Sequence, residues 1–211
     1  MDNYYQIFLE TTKKIDKTKK PKLLLHVCCA PCSSHCLQVL EEFFDVTVFY
    51  YNPNISPFDE YQKRLNEEIN FVKAVHPNVK VIEAEYDNQS FEQMVKGLED
   101  LPEGGARCKL CYQMRLKKTA EYAKQINFDY FTTSLTVSRY KNSQVLNEIG
   151  ANVAKQIGVN YLFSDFKKEN GYQHSIELSK QFNLYRQNYC GCKYSKIARE
   201  KFDQTNCGKT N

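Results

Sequence analysis

The 211-residue sequence has no apolar run that approaches the ~20 residues needed to cross a membrane as a helix. Its start, Met1 to Tyr5, shows no basic segment followed by an apolar one, so no signal peptide is predicted. Internal repeats and low-complexity tracts are also missing from the sequence. These absences predict a protein of the cytoplasm with no membrane partner.

Two motifs of α/β enzymes are absent as well. No glycine-rich loop that could cradle a phosphate follows the first predicted strand, and cysteines occupy that position, which disfavours an ATP-using enzyme. Radical chemistry through S-adenosylmethionine uses the spacing Cys-x-x-x-Cys-x-x-Cys. That spacing is not reproduced by the cysteines near this strand, which are Cys28, Cys29, Cys32 and Cys36.

The charge of the chain is nearly balanced. There are 29 Lys and Arg residues against 25 Asp and Glu residues, for a formal net charge of +4. Hydrophobic residues make up 42% and charged residues 26%, which is ordinary for a globular protein. A uniformly basic surface is therefore not predicted, and any basic patch would be local.

The order of predicted elements indicates one α/β domain over residues 22–202. A helix and a basic linker (1–21) precede it, and a polar tail (203–211) follows it. Strands are predicted at 22–27, 45–51, 79–86, 128–135 and 161–166. Helices are predicted at 33–43, 56–75, 90–97, 111–126, 143–157, 175–182 and 194–202, with Ser56 as an N-cap and Pro57 as the first helical residue. This alternation predicts a mainly parallel sheet flanked by helices. The lysines of the linker are interpreted as a solvated terminus or as an arm that contacts phosphates.

Seven of the nine cysteines are clustered. We call Cys28, Cys29 and Cys32 the first thiol group. The second thiol group comprises Cys108, Cys111, Cys190 and Cys192. A disulfide framework is not expected in a reducing cytosol, so clustered thiols indicate metal or redox chemistry. Each cluster is predicted at a strand end or a helix start, where the helix N-terminus stabilises thiolates.

Three uses of these thiols are consistent with their spacing. Cys29 and Cys32, as Cys-x-Pro-Cys, resemble a thioredoxin-type redox pair. The second thiol group could hold a structural zinc ion, as in a non-catalytic RNA-binding protein. Seven thiols also exceed the four that a [4Fe–4S] cluster takes, and the remaining three could hold one further metal ion with an open position. Cys36 is interpreted as a core residue and Cys207 as an incidental surface thiol.

The sequence resembles the cobalamin-independent epoxyqueuosine reductases of the QueH type. The resemblance extends from Lys22 to about Phe202. Its motifs are Cys28-Cys29-Ala30-Pro31-Cys32, Tyr51-Asn52-Pro53-Asn54-Ile55, Arg107-Cys108-Lys109-Leu110-Cys111-Tyr112, Thr132-Thr133-Ser134-Leu135, Asp165-Phe166-Lys167-Lys168 with Gly171-Tyr172, Tyr185-Arg186-Gln187 and Tyr189-Cys190-Gly191-Cys192.

The resemblance implies a Rossmann-like sheet with the thiols at the carboxyl edge of its strands. It also implies a [4Fe–4S] cluster with an adjacent iron ion. The implied reaction removes the epoxide oxygen of epoxyqueuosine in the anticodon loop of a tRNA, giving queuosine, with electrons from an external donor. The sequence does not indicate the oligomeric state.

Several residues beside these motifs are candidates for the site. The first thiol group, Tyr112 and Asp165 are the catalytic candidates, and all seven clustered thiols are the candidate metal ligands. Candidate contacts to the substrate are Asn52, Asn54, Arg64, Tyr140 and Arg186. His26, on a buried strand, is expected to be a core residue and not a ligand.

Overall fold

The computed structural model describes residues 3–207, with side chains described as far as residue 205. Five parallel strands form one sheet in the order β3-β2-β1-β4-β5. The strands are β1 (Lys22–His26), β2 (Asp45–Tyr50), β3 (Lys80–Glu83), β4 (Tyr130–Thr133) and β5 (Asn160–Tyr161). The helices are α1 (Tyr4–Thr12), α2 (Ala30–Leu40), α3 (Phe58–Val75), α4 (Asn88–Met94), α5 (Ala106–Gln125), α6 (Ser143–Ile157), α7 (Gly171–Gln181) and α8 (Lys193–Cys207), with a 3₁₀ helix at Ser134–Val137. The predicted α/β architecture with a parallel sheet is confirmed.

The central strand β1 explains why the sheet is covered on both faces. Leu23, Leu24 and Leu25 have no exposed surface, although successive side chains point to opposite faces. Leu23 and Leu25 pack in a core with residues of α2, whereas Leu24 packs with residues of α5. A strand that is apolar on both faces needs a helix on each, which is the layering of an α/β sheet.

Several helix starts differ from the predicted ones. The helix α2 begins at Ala30 and not at residue 33, because Pro31 fits the first turn of a helix, where its missing N–H is not needed. The helix α5 begins at Ala106 and not at residue 111. The prediction that Ser56 caps α3 is wrong: the helix starts at Phe58 after a cis Ser56–Pro57 bond, and the Ser56 N–H donates to the Gly191 carbonyl at 3.0 Å.

The last two predicted strands are shorter than expected. β4 gives way to the 3₁₀ helix after Thr133, whose hydroxyl accepts from the Leu135 N–H. β5 has two residues because side chains take over its pairing: the Ser164 N–H donates to Asn147 Oδ1 at 3.0 Å. At the chain end, α8 extends to Cys207, so helix continues into the predicted polar tail. The side chain of Cys207 lies outside the described residues.

Three further elements differ from the predicted ranges: β3 covers Lys80–Glu83 and not 79–86, α4 covers Asn88–Met94 and not 90–97, and α7 begins at Gly171 and not at residue 175. α6 covers 143–157 as expected, and Gly158 ends it with φ +76°, which glycine adopts readily. Lys22 starts β1, so the linker before it lies toward the amino ends of the strands. There, the Lys17 ammonium pairs with Glu42 at 2.5 Å. Among the residues that the structure describes, no helix combines the length and apolarity that crossing a bilayer requires.

Candidate metal centre and active site

The first thiol group lies where β1 ends and α2 begins. Its three sulfur atoms all lie within 4.8 Å of one another. Cys28 and Cys29 are buried and Cys32 is partly buried. Hydrogen bonds from the thiols of Cys29 and Cys32 lower the pKa of Cys28, whereas hydrogen bonds with Cys28 and Cys32 raise the pKa of Cys29. The arrangement is a compact set of donors for one metal ion, which binds in place of the thiol protons.

The second thiol group is assembled from two distant segments. Cys108 and Cys111 lie in the first two turns of α5, and Cys190 and Cys192 precede α8. All four line one small cavity. Among the described residues, the first thiol group is the one set of three or more Cys, His, Asp or Glu ligand atoms compact enough for a single metal ion, and the second group does not form such a set. Burial raises the pKa of Cys111 to about 12, so this thiol needs a metal or a cation to become a thiolate.

Cys190 connects the two thiol groups. It lines the small cavity of the second group and also a larger one, of about 450 Å³, that the first group faces. Gly191, the next residue, has φ +122°, and a β-carbon there would lie 3.0 Å from Arg64 Nη1. The guanidinium of Arg64 donates to the Cys190 carbonyl and pairs with Glu60 at 2.6 Å. The backbone angle therefore favours glycine, and a β-carbon at this position would also crowd Arg64.

A polar network behind the thiols contains a second buried arginine, Arg115. Its nitrogens contact His26 Nε2 at 3.2 Å, Asn52 Oδ1 at 2.7 Å and Cys111 Sγ at 3.9 Å. Asn52 in turn donates to the carbonyl of Val27 at 2.8 Å, directly before the first thiol group. Burial and Arg115 lower the pKa of His26 to about 3, so its ring is neutral and accepts from Arg115. His26 is a satisfied core residue, as expected.

The predicted catalytic residues other than the thiols lie in different places. Tyr112 is buried and lines the cavity of the second thiol group. Asp165 does not reach either thiol cavity. Its carboxylate accepts from Ser143 at 3.0 Å, pairs with Lys167 at 2.9 Å, and faces a separate cavity beside α1.

The predicted substrate contacts are also divided. Tyr140, Arg186 and Arg64 line the larger cavity, whereas Asn54 lines the cavity of the second thiol group. Asn54 Oδ1 is buried without a hydrogen-bond partner. Asn52 is 1% exposed, and both ends of its amide are engaged by Val27 and Arg115. The structure thus brings Tyr140 and Arg186 together at the larger cavity and keeps Asn52 away from it.

The rim of the larger cavity carries stacked cationic and aromatic side chains. The guanidinium carbon of Arg139 lies 4.8 Å from the ring centre of Tyr140 and 5.3 Å from that of Tyr172. Arg186 lies 5.8 Å from the ring centre of Tyr172 on the same rim. Tyr140 is 67% exposed, which is unusual for a large aromatic side chain. Such a surface can stack on unpaired bases.

Three residues near the thiols were not singled out in the sequence. Arg115 is four residues after Cys111, so helical periodicity places both on one face of α5, and this spacing could have identified it. Lys141 lines the larger cavity, and although burial opposes its charge, the nearby Cys190 and Cys28 raise its pKa. Glu68 is fully buried on α3 and accepts from Ser33 at 2.8 Å. No local sequence pattern indicates that Glu68 is buried.

Comparison with known proteins gives a consistent result. The family model described as epoxyqueuosine reductase QueH matches residues 23–198. The epoxyqueuosine reductase QueH of Streptococcus pyogenes serotype M1 is 43% identical over 198 residues, covering 92% of this chain and 78% of that protein. The protein of the same description from Thermotoga maritima is 37% identical over 182 residues, covering 85% of this chain and 92% of its own length.

A solved structure shows a similar fold. It is the U34-tRNA thiolase NcsA from Methanococcus maripaludis with its [4Fe–4S] cluster, which aligns with 90% of this chain and 67% of its own, at a TM-score of 0.53 and 13% sequence identity. At this identity the likeness concerns the fold. The family match and the relatives, by contrast, extend through both thiol groups and over most of the chain. The chain belongs to the QueH family of epoxyqueuosine reductases, which are oxidoreductases of queuosine biosynthesis.

Proposed function

We propose that this chain reduces epoxyqueuosine in a tRNA to queuosine, with a [4Fe–4S] cluster held by the second thiol group and one iron ion held by the first. The observation that supports this most directly is the presence of two different thiol groups whose cavities share one lining residue, Cys190. A thioredoxin-type pair would need only Cys29 and Cys32 and leaves the second group without a role.

The spacing of the sulfur atoms favours a cluster over a zinc ion in the second group. Tetrahedral zinc with Zn–S bonds of about 2.3 Å holds its sulfur ligands about 3.8 Å apart. Among the described residues, the second group does not form a set compact enough for a single ion, and its four cysteines line a cavity. This wider set suits a cofactor larger than one ion. The first thiol group, with all three sulfurs within 4.8 Å, suits a single ion.

The reaction breaks both C–O bonds of the epoxide, forms a carbon–carbon double bond and releases the oxygen as water. It consumes two electrons, from an external one-electron reductant, and two protons. When bound, the metals supply electron transfer and a Lewis acid for the epoxide oxygen. The protein must orient the substrate in the larger cavity and deliver protons there. Of the two predicted acids, Tyr112 lines the cavity of the second thiol group, which shares Cys190 with the larger cavity, whereas Asp165 lines neither, so Tyr112 is the one we retain.

The rim of the larger cavity is the proposed contact with tRNA. The thiols lie at the base of a recess, so the modified base must leave the anticodon-loop stack to reach them. Tyr140 and Tyr172 offer ring faces for neighbouring bases, and Arg139 and Arg186 offer charge for phosphates. A free nucleoside would lack these contacts. We therefore expect it to be reduced much more slowly than the intact tRNA.

The test is anaerobic purification followed by iron and sulfide analysis and absorption spectra before and after dithionite. We expect about four or five irons and four sulfides for each chain, and a visible band that bleaches on reduction. The same protein should convert epoxyqueuosine-containing tRNA to queuosine-containing tRNA. Zinc without sulfide and without bleaching would instead indicate a zinc-stabilised RNA-binding protein and would contradict the proposal.

Variants in each thiol group test the division of the metals. C28S should remove the single ion and retain four irons with sulfide, whereas C111S should remove the cluster. C36A is the matched control, because Cys36 is a buried thiol on α2 outside both groups. Loss of all metal from every thiol variant, with C36A unaffected, would contradict the division between the groups.

A further inference from the structure

Arg115 is a buried cation with no carboxylate partner. It is 1% exposed, and none of the described Asp and Glu residues forms an ion pair with it. Its hydrogen-bond partners are a neutral imidazole, an amide oxygen and the Cys111 sulfur. A buried guanidinium stays protonated, and burying such a charge without an opposite one is strongly unfavourable. The structure therefore needs an anion near Arg115 that no carboxylate provides.

Arg64, in the same protein, is a buried arginine whose charge is balanced by a carboxylate. It is equally buried, at 1% exposure, but its Nε pairs with the Glu60 carboxylate at 2.6 Å. Beside Arg115 the groups able to carry negative charge are sulfurs. Cys111 is in contact with it, and Cys28 and Cys190 lie near enough that their thiolates would stabilise its charge. These three cysteines come from both thiol groups.

The connections of Arg115 reach each thiol group by a separate route. Through Nη1 it contacts Cys111 of the second group, 3.9 Å away. Its Nη2 donates to Asn52, and the Asn52 amide donates in turn to the carbonyl of Val27, the residue directly before Cys28 of the first group. The guanidinium is thus fixed by three side chains in the layer behind the thiols. It has little freedom to move when the charge on the sulfurs changes.

We propose that Arg115 is a positioning residue whose fixed positive charge balances the thiolates of the second group and raises the reduction potential of the cluster they hold. The inference rests on the proposed function, because it requires a redox cofactor in that group. A nearby cation stabilises the more negative, reduced state of a cluster, and hydrogen bonds to the ligand sulfur act in the same direction. No substrate contact is involved, since Arg115 lies behind the thiols and lines neither thiol cavity.

The experiment is an anaerobic redox titration of the iron-loaded protein, followed by its visible absorption. R115Q removes the charge and keeps an amide that can hydrogen-bond. We expect R115Q to retain iron and sulfide but to have a lower midpoint potential. At a fixed potential, the ratio of reduced to oxidised cluster should fall at least tenfold, which corresponds to a shift of about 59 mV for a one-electron couple. R115K, which keeps the charge, should restore most of this shift.

N52A is the matched control for a purely structural effect. It removes the hydrogen bond that holds Arg115 Nη2 and the bond to Val27, but it leaves the charge in place. Its midpoint should stay closer to wild type than that of R115Q. An unchanged midpoint in R115Q, or an equal shift in N52A, would overturn the proposal. If R115Q does not assemble iron, the proposal requires that R115K does, because R115K keeps the charge. An outcome in which N52A assembles iron and R115K does not would also overturn the proposal. Wild-type protein without iron and sulfide would instead contradict the proposed function.

Discussion

At the scale of single residues, the site is unusual for the number of ionisable side chains buried around it. Arg64, Arg115 and Glu68 are each at most 1% exposed, although Arg and Glu are among the residues least often fully buried. Arg64 pairs with the carboxylate of Glu60, and Arg115 contacts the sulfur of Cys111. Glu68 has neither, since its Oε2 accepts from Ser33 and its Oε1 has no partner. Of these three side chains, Glu68 is therefore the one whose charged form has the least stabilisation from neighbouring groups.

Burial raises the pKa of Glu68 from its ordinary value of 4.5 to about 8. Because the folded state holds this proton more tightly than the unfolded chain does, the contribution of Glu68 to stability falls as the pH rises from about 4.5 to about 8. Each pH unit in this window changes the free energy of unfolding by up to about 1.4 kcal/mol. E68Q cannot ionise. Urea unfolding should show that its stability relative to wild type is higher at pH 8 than at pH 5.

The control for this prediction is E148Q, which neutralises an exposed carboxylate on α6. All three proteins should be compared in the same metal-loaded state, so that thiol ligation does not differ between them. E148Q should follow the pH dependence of wild type. Parallel pH curves for E68Q and wild type would show that Glu68 does not hold its proton in the folded state.

At the scale of elements, α8 begins directly after the second thiol group. Its first turn is tied to Cys192, since the Ser195 N–H donates to the Cys192 sulfur at 3.4 Å. It also carries an ion pair from Lys193 to Glu92 at 2.6 Å, which at a surface is worth at most about 1 kcal/mol. Farther along, Phe202 is 57% exposed. Ligation of Cys190 and Cys192 is thus the strongest tie we expect for this helix.

Removing the metal should therefore loosen α8 before the sheet unfolds. Limited trypsin digestion, followed by mass spectrometry, should cut at Lys196 and Arg199 at least several times faster in metal-free than in metal-loaded protein. Lys117 and Lys118 provide an internal control, because they are exposed on α5 after the part that carries the thiols. Equal acceleration at the α5 sites would indicate global unfolding. Equal rates at the α8 sites in both states would show that the metal does not hold this helix.

At the scale of the whole molecule, the distribution of charge matters more than its sum. The net charge is only +4, yet Arg186 lines the larger cavity and Arg139 stacks on Tyr140 and Tyr172, which also line it. The lysines of the linker lie toward the opposite, amino ends of the strands, as the position of Lys22 in β1 shows. Of the two interpretations of that linker, the fold thus favours a solvated segment over an arm that reaches the same tRNA loop.

The salt dependence of tRNA binding can show whether the rim of the larger cavity or the lysine-containing linker binds the phosphates. Each phosphate bound in a single-stranded region contributes about −0.7 to the slope of log K against log salt. Replacing Arg139 and Arg186 by alanine should weaken binding and make the slope less steep by about 0.7 for each phosphate that the variant no longer binds. The matched change at the linker, K13A with K14A, should leave affinity and slope unchanged. A shallower slope in the linker variant would restore the phosphate-arm interpretation.

Much of this organisation could be predicted from the chain alone, because it follows from local patterns. The apolar run before Cys28 and its position ahead of a helix place thiols at the carboxyl edge of a parallel sheet. The seven clustered cysteines and the ordered motifs indicate the family. Element boundaries were less predictable where side chains replace backbone pairing, as at Ser164, or where a segment is held from far away, as Ser56 is by Gly191.

Only the tertiary structure decided how the thiols are grouped and what charge surrounds them. Cys111 and Cys190 are 79 residues apart in number, and the folded chain alone places them around one cavity. The same holds for Asp165, which the fold turns toward Lys167 and away from the thiols, and for Asn52, whose amide oxygen accepts from Arg115. Local sequence determines which residues can ligate, stack or carry charge. Which of them meet depends on long-range packing, because the partners come from elements that are adjacent only after the sheet and its helices have assembled.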